Sequence, residues 1–329
     1  MDFASPFEIF SDTEGERLWW SNQFGWIDNR SGADVFRNPV DMPVGYSGVE
    51  DSKLYAKDEY ENNLICGDGV SVLSRVPDEA VSLVVTSPPY WGLRIYDDLE
   101  IGNEPGVQEY IDSLVSVFDQ CKRVLRSDGS VFVNIGDSYA SKPCGSFNGG
   151  GSVFSGRDMS GIETSGRIDK SKATGLHQKN LIGLPWKFAF AMQESGWILR
   201  SEIVWFKKSC SPESTNDRVT REHELIFHFV KSGKYKFDRS KSRRPRSVWH
   251  ISSTRGPKWH KATFPKEIPE RCIEMASDVG DLVLDPFSGS GTVCIAALEN
   301  NRKYLGVDVS EEYTNLASKR IKCVSPKLF

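Results

Sequence analysis

The chain has 329 residues, of which 39% are hydrophobic and 26% charged, with a formal net charge of -4. That is the composition of an ordinary globular protein with material for a sizeable core, and it excludes the disordered and fibrous classes. The longest apolar runs, such as 81–85 and 282–284, fall far short of the roughly 18 residues a membrane-spanning helix needs. With no signal-peptide pattern in the acidic N-terminus, a cytoplasmic protein without a membrane partner is expected.

Single cores stop growing near roughly 250 to 300 residues, so one core with inserted segments is expected. Residues 1–62 carry 13 acids against 5 bases without a sustained period, and read as an irregular N-terminal extension. From Asn63 onward, short apolar runs at 64–66, 81–86, 130–135, 282–285 and 304–307 end in Gly, Asp or Pro, as buried parallel strands do. Between them, apolar residues at spacings of three and four predict helices over 107–125, 266–277, 292–299 and 311–321. The first of these stops at the turn signal Ser127-Asp128-Gly129. This alternation predicts an α/β protein with a doubly wound, mostly parallel sheet that binds ligands at the carboxyl ends of its strands.

Two stretches break the rhythm. Residues 138–179 are rich in Gly and Ser and predict a flexible insertion. Residues 207–259 overlap a basic run, 231–261, with 11 Lys and Arg against the single acid Asp238. Such a run suits phosphate contacts, although charge alone fits a solvated loop equally well. The core is then expected in 63–137, 180–206 and 260–323.

The seven cysteines contain no C-x-x-C pair and the five histidines no H-x-x-x-H spacing, so neither a disulfide framework nor a metal site is expected.

The sharpest chemical signal is Thr86-Ser87-Pro88-Pro89-Tyr90-Trp91, directly after the predicted strand 81–86. Pro88 and Pro89 fix the backbone and remove two amide donors, so nearby carbonyls are held as acceptors. An aryl amine, whose lone pair is delocalised into its ring, is a poor nucleophile. The Ser87 hydroxyl and the Pro88 carbonyl can accept its two hydrogens and concentrate electron density on the nitrogen. Tyr90 and Trp91 offer faces on which an extruded base stacks. A strand-ending turn with a buried aromatic would look the same in isolation.

The second signal is Leu282-Val283-Leu284-Asp285-Pro286-Phe287-Ser288-Gly289-Ser290-Gly291-Thr292, a strand running into a Gly-rich turn and a helix. Glycine permits close backbone approach to a ligand, and the helix start at Thr292 has free amide donors. It is neither a Walker loop nor the G-x-G-x-x-G fingerprint. Tyr304-Leu305-Gly306-Val307-Asp308 then gives a second strand ending in an acid, the arrangement that accepts from ribose hydroxyls. Together they point to an adenosine-bearing cofactor.

With these motifs in this order, residues 63–321 resemble the DNA amino-methyltransferases of the permuted beta class, in which S-P-P-Y precedes D-P-F-S-G-S-G-T. Further stretches match the family. Asn63-Leu64-Ile65-Cys66-Gly67-Asp68 resembles the strand whose terminal acid, here Asp68, lies by the cofactor adenine. Gly196-Trp197 through Phe206-Lys207, Arg218 and His223-Glu224 resemble the segment leading into the recognition region. His260-Lys261-Ala262-Thr263-Phe264-Pro265 resembles the motif that closes over the methionine portion, through Thr263 and Phe264. The resemblance implies S-adenosyl-L-methionine as cofactor, held also by Asp285, Phe287, Gly289, Gly291, Thr292 and Asp308, and double-stranded DNA as substrate. Serine first in the catalytic motif is typical of the family's cytosine-N4 enzymes and aspartate of its adenine-N6 enzymes, so Ser87 implies site-specific cytosine-N4 methylation. A cognate restriction endonuclease is an implied partner, and a solitary enzyme is equally compatible.

DNA contacts are expected from Trp91, Arg218, Arg243, Arg244 and Arg246, against phosphates or guanine edges; Trp249 and Trp259 are expected in the core. Cytosine C5 chemistry is set aside, because Pro143-Cys144 lies in the Gly/Ser-rich insertion. Methylation of protein glutamine or RNA is disfavoured by the serine and by the motif order. The alternatives are adenine-N6 methylation of DNA and, in a different class, a non-catalytic DNA-binding relative that keeps the fold, although no residue the chemistry needs is missing.

Overall fold

The computed structural model describes residues 53–92, 101–142, 168–208, 216–241, 246–252 and 265–324. Among these, eight strands form one sheet in the order β1-β8-β7-β2-β3-β5-β4-β6. They are β1 (Asn63–Cys66), β2 (Val81–Thr86), β3 (Leu125–Ile135), β4 (Ile198–Lys207), β5 (His223–Val230), β6 (Val248–Ile251), β7 (Leu282–Asp285) and β8 (Lys303–Asp308). Every neighbouring pair is parallel except those made by β5, which runs antiparallel to both β3 and β4. The expected doubly wound, mostly parallel sheet is therefore present.

Eight helices accompany the sheet in the described residues: α1 (Lys57–Tyr60), α2 (Gly69–Ser74), α3 (Val107–Val124), α4 (Lys170–Thr174), α5 (Leu184–Glu194), α6 (Glu267–Ala276), α7 (Thr292–Glu299) and α8 (Glu311–Lys322). None is long and apolar enough to cross a membrane. Helix α3 buries Tyr110, Ile111, Leu114, Phe118 and Cys121, a stripe at spacings of three and four.

The strands supply both faces. Along β2, Val84 packs into one apolar cluster with α2, α3 and α5, whereas Leu83 and Val85 pack into a second with α6 and α7. A strand buried on both sides is apolar on both faces rather than one, and β2 is buried from Val81 to Thr86, with Ser82 and Thr86 its polar residues. Trp249 lies in the core as expected, 2% exposed; Trp259, Pro143 and Cys144 lie outside the described residues.

Two expectations are corrected. Strand β3 starts at Leu125, five residues earlier than the sequence predicts. The turn signal is accommodated as an irregularity inside the strand, with Val81 paired to Leu125 and Leu83 already paired to Ser130. Arg126 bridges this loop to Asp128 and Asp281. The recognition segment assigned to 207–259 is also partly core: β5 lies inside the sheet between β3 and β4, and β6 is its edge. The base of the insertion is likewise tied to the core, since Tyr139 bridges Leu181 and the Lys170 amide of α4 donates to the Ser141 carbonyl at 3.0 Å.

Candidate active site

Because β1, β2, β3, β7 and β8 are parallel, the loops that leave their carboxyl ends gather on one edge of the sheet. Asp68 follows β1, Ser87 to Tyr90 follow β2, Gly136 and Asp137 follow β3, Pro286 to Gly291 follow β7, and Asp308 ends β8. Since β5 is reversed, its first residues, His223 and Glu224, reach the same edge. Motifs far apart in sequence thus become neighbours.

The two sequence signals are joined directly. Thr86 Oγ1, one residue before Ser87, donates to Asp285 Oδ1 at 2.6 Å, and the Phe287 amide donates to the same oxygen at 3.1 Å. Asp285 is 2% exposed. Burial pushes its carboxyl up to about 7; the donors from Thr86 and Phe287 work the other way, and nearby Asp308 adds to the rise.

Asp308 is held by the Gly289 amide on one carboxylate oxygen, at 2.7 Å, and by the Ser310 amide on the other, at 2.9 Å. A carboxylate has about four acceptor positions, so each oxygen retains capacity for a hydroxyl. Burial raises the Asp308 carboxyl above its ordinary range. Gly289 has φ +49°, and a Cβ built there would find its nearest neighbour, the Phe287 carbonyl oxygen, 4.0 Å away. That backbone faces open space and admits a close ligand. Gly291, at φ +77°, is glycine for packing instead, because a Cβ would lie 2.9 Å from the Ala317 methyl of α8. Phe287 is partly buried against the core, while Thr292 is buried at the first position of α7. Asp68 is exposed and caps α2 by accepting from the Ser71 amide. An open glycine beside a carboxylate with spare acceptors fits the adenosine part of S-adenosyl-L-methionine.

Around Ser87 the sheet supplies partners that sequence reasoning did not assign. Ser87 Oγ and the Tyr90 hydroxyl lie 3.5 and 3.4 Å from a common acceptor, Asn134 Oδ1. Asn134 is 2% exposed, and its amide nitrogen donates to the Leu225 carbonyl across the β3/β5 pair at 3.2 Å. The Tyr90 hydroxyl also donates to Glu224 Oε2 at 2.9 Å, and Lys207 Nζ donates to Glu224 Oε1. The Tyr90 ring lies on Gly136, where a Cβ would come within 2.7 Å of it. The Pro89 carbonyl accepts from the Tyr110 hydroxyl at 2.8 Å, tying the loop to α3. Burial first, and then the Glu224 charge, hold the Tyr90 phenol above its ordinary range, so it stays protonated. The sequence signals that could have found these residues are a polar Asn134 within an apolar strand and the His223-Glu224 pair at the start of β5.

Trp91 departs from its expected role. It is 1% exposed, inside the cluster with α3, with its indole nitrogen donating to the Glu104 carbonyl at 2.9 Å. The second aromatic of the loop is thus a core anchor and presents no face to a base. Pro88 is buried and Pro89 partly so. Arg218 lies over the Tyr139 ring, 4.0 Å from its centroid. Arg246 is exposed and lines a cavity of about 190 Å³ with Phe132, His228 and Met275, apart from the Ser87 loop. Arg243, Arg244, Thr263 and Phe264 lie outside the described residues. Among the described residues, no group of His, Cys, Asp and Glu could hold a metal ion.

Comparison with known proteins gives the family and the fold. A family model described as DNA methylase, for N6 and N4 enzymes, matches residues 81–319. The type II methyltransferase M.Cfr9I of Citrobacter freundii is 40% identical over 283 residues, covering 82% of this chain and 92% of its own. M.SmaI of Serratia marcescens is 39% identical, covering 78% of this chain and 90% of its own. Among solved structures, a DNA modification methylase of Thermus thermophilus in complex with S-adenosyl-L-methionine matches with a TM-score of 0.56 at 28% identity, covering 79% of this chain and 93% of that one. The cytosine-N4-specific PvuII DNA methyltransferase matches in fold with a TM-score of 0.58 at 23% identity, covering 81% and 87%.

Proposed function

Since this chain belongs to the N6/N4 DNA methylase family and is a DNA methyltransferase, we propose that it is a site-specific type II enzyme that methylates the exocyclic N4 of a cytosine turned out of double-stranded DNA. S-adenosyl-L-methionine is its cofactor, as in the complexed relative from Thermus thermophilus. By its kinship with type II methyltransferases such as M.Cfr9I, its proposed partner is a restriction endonuclease of the same site.

The observation that carries the reading is the position of Ser87. Its neighbour Thr86 is bonded to Asp285 at the head of the Gly-rich cofactor loop, so amine acceptor and cofactor loop share one rigid connection. When bound, S-adenosyl-L-methionine supplies an electrophilic methyl group on its sulfonium sulfur. Asp308 accepts from the ribose hydroxyls, and Gly289 lets the backbone approach closely. Tyr90 supplies the ring on which the extruded cytosine stacks. Ser87 Oγ and the Pro88 carbonyl each accept one N4 hydrogen, which holds the nitrogen lone pair in line with the methyl carbon. Transfer of that methyl to N4 would release S-adenosylhomocysteine and leave the nitrogen positive; these two acceptors would stabilise that charge until one N4 proton passes to solvent water. Cytosine is favoured over adenine because serine, rather than aspartate, stands first in the motif, as in the cytosine-N4 enzymes that the sequence resembles.

The test is product analysis. The protein is incubated with unmethylated DNA and cofactor, and the DNA is digested to nucleosides and resolved by chromatography with mass detection. N4-methylcytosine is expected. N6-methyladenine would overturn the cytosine assignment while leaving the amine chemistry standing, and unmodified DNA would overturn both.

A further inference from the structure

We propose that Glu224 is a positioning residue that sets which way the Ser87 hydroxyl points, acting through Tyr90. The proposal rests on the reading of Ser87 as an acceptor of the target amine.

The argument is an accounting of protons. Two hydroxyls, Ser87 and Tyr90, reach the one oxygen of the Asn134 amide. That amide cannot turn over, because its nitrogen donates to the Leu225 carbonyl, which can only accept. Each hydroxyl has a single proton. Tyr90 places its proton on Glu224 at 2.9 Å rather than on Asn134 at 3.4 Å, since a bond to a carboxylate is shorter and stronger than one to a neutral amide. The phenol keeps that proton, because burial and the adjacent Glu224 charge oppose its loss. Asn134 Oδ1, with the Tyr90 oxygen beside it, is then left to the Ser87 proton. With its proton directed inward, the Ser87 oxygen turns its lone pairs outward, the orientation an amine hydrogen requires. The Ser87 to Asn134 distance is long at 3.5 Å, as catalytic bonds often are before substrate binds.

Lys207 completes the device. Its ammonium donates to the other oxygen of Glu224, so the carboxylate is pinned from one side and offers Oε2 to Tyr90 from the other. The antiparallel direction of β5 makes this possible, because it brings a strand start to the edge where the neighbouring strands end.

Glu224→Gln is the sharp test, because it keeps the shape and reverses the polarity. Lys207 takes the one remaining carbonyl oxygen, so the amide nitrogen faces Tyr90 and donates to it. The phenol proton then has Asn134 as its acceptor and displaces that of Ser87, which swings toward the substrate amine. Single-turnover methylation is expected to fall at least about tenfold, with cofactor affinity by titration and DNA affinity by anisotropy unchanged. In the Tyr90→Phe variant the competing hydroxyl is gone, so adding Glu224→Gln is expected to cost less than about twofold. A second arm does not need that background: adding Lys207→Met to Glu224→Gln lets the amide turn its oxygen to Tyr90 and restores the rate. A Glu224→Gln enzyme at wild-type speed, an equal loss in the Tyr90→Phe background, or no recovery with Lys207→Met would each overturn the proposal. Ser87→Ala separates the two levels: wild-type turnover there refutes the amine-acceptor reading itself, whereas a slow Ser87→Ala enzyme beside a fast Glu224→Gln enzyme refutes only the role of Glu224.

Discussion

Replacing Asp285 with asparagine in the cofactor-free protein should make its stability depend on pH in one defined way. The buried carboxyl is raised from 3.8 to about 7. Folded and unfolded states therefore differ in proton uptake between these values: the unfolded chain ionises from about pH 4 upward, while the folded protein holds the proton until near neutrality. A carboxyl with a raised folded pKa stabilises the protein relative to its ionised form below the unfolded value, and that advantage is lost as pH rises through the folded one. The rise from 3.8 to about 7 corresponds to about 4 kcal/mol, at about 1.4 kcal/mol for each tenfold change in proton affinity. Asparagine keeps an oxygen to accept from Thr86 and the Phe287 amide but has no proton to lose. Its extra N–H group costs about 1–3 kcal/mol if it stays unpaired, an offset that does not vary with pH. The stability of the variant relative to wild type should therefore climb by about 1.4 kcal/mol per unit between pH 5 and 7, and level off above 8. Urea unfolding of both proteins across this range, followed by circular dichroism, measures the difference directly. A difference that stays flat from pH 5.5 to 8.5 would refute the reasoning.

Two more outcomes follow from named contacts. Gly136→Ala places a methyl within 2.7 Å of the Tyr90 ring, so single-turnover methylation should slow at least about tenfold through a displaced stacking face, while calorimetric cofactor affinity stays at the wild-type value. Asp308→Ala removes the ribose acceptor and frees the Gly289 amide; calorimetry should register cofactor binding weakened by at least about tenfold, with the circular dichroism spectrum unaltered.

The parts of the fold that could be read from sequence are those where one physical requirement acted alone. Strand β2 must be buried on both faces, so it reads as an apolar run with only Ser82 inside it, and Pro88 ends it visibly. Strand β7 and helix α7 are marked by an apolar run, glycines and a helix start in succession, and both were bounded correctly. Strands β4 and β5 were harder. In β4 exposure alternates toward its start, as at an amphipathic surface. Strand β5 contains His228, a residue that reads as polar until it is seen stacked 4.3 Å from Phe132 and bonded to Ser130, with burial lowering its pKa to about 3. The surrounding basic residues drew the whole stretch toward a recognition role, when two of its segments complete the sheet.

In the site, Ser87, Tyr90, Asp285 and Asp308 were legible because each ends or follows an apolar strand. Asn134 and Glu224 were not, because their roles come from pairing between strands 91 residues or more apart. The place of Trp91 is hidden for a related reason: next to Tyr90 it looks like a second stacking ring, and only the position of Glu104 and α3 turns it inward.

The pairing of β1 with β8 carries a consequence for the order in which the protein is made. Thr86 leaves the ribosome 199 residues ahead of its partner Asp285, and Cys66 waits 243 residues for Val309. The early half of the sheet therefore spends much of its synthesis with an open edge at β2, and such late closure slows folding. The cofactor cradle forms only when the last strand docks, so a nascent chain can hold neither cofactor nor methylating activity. Clipping β8 would remove the partner of β1 as well as Asp308, and a loss at one end of the chain would unseat the strand at the other.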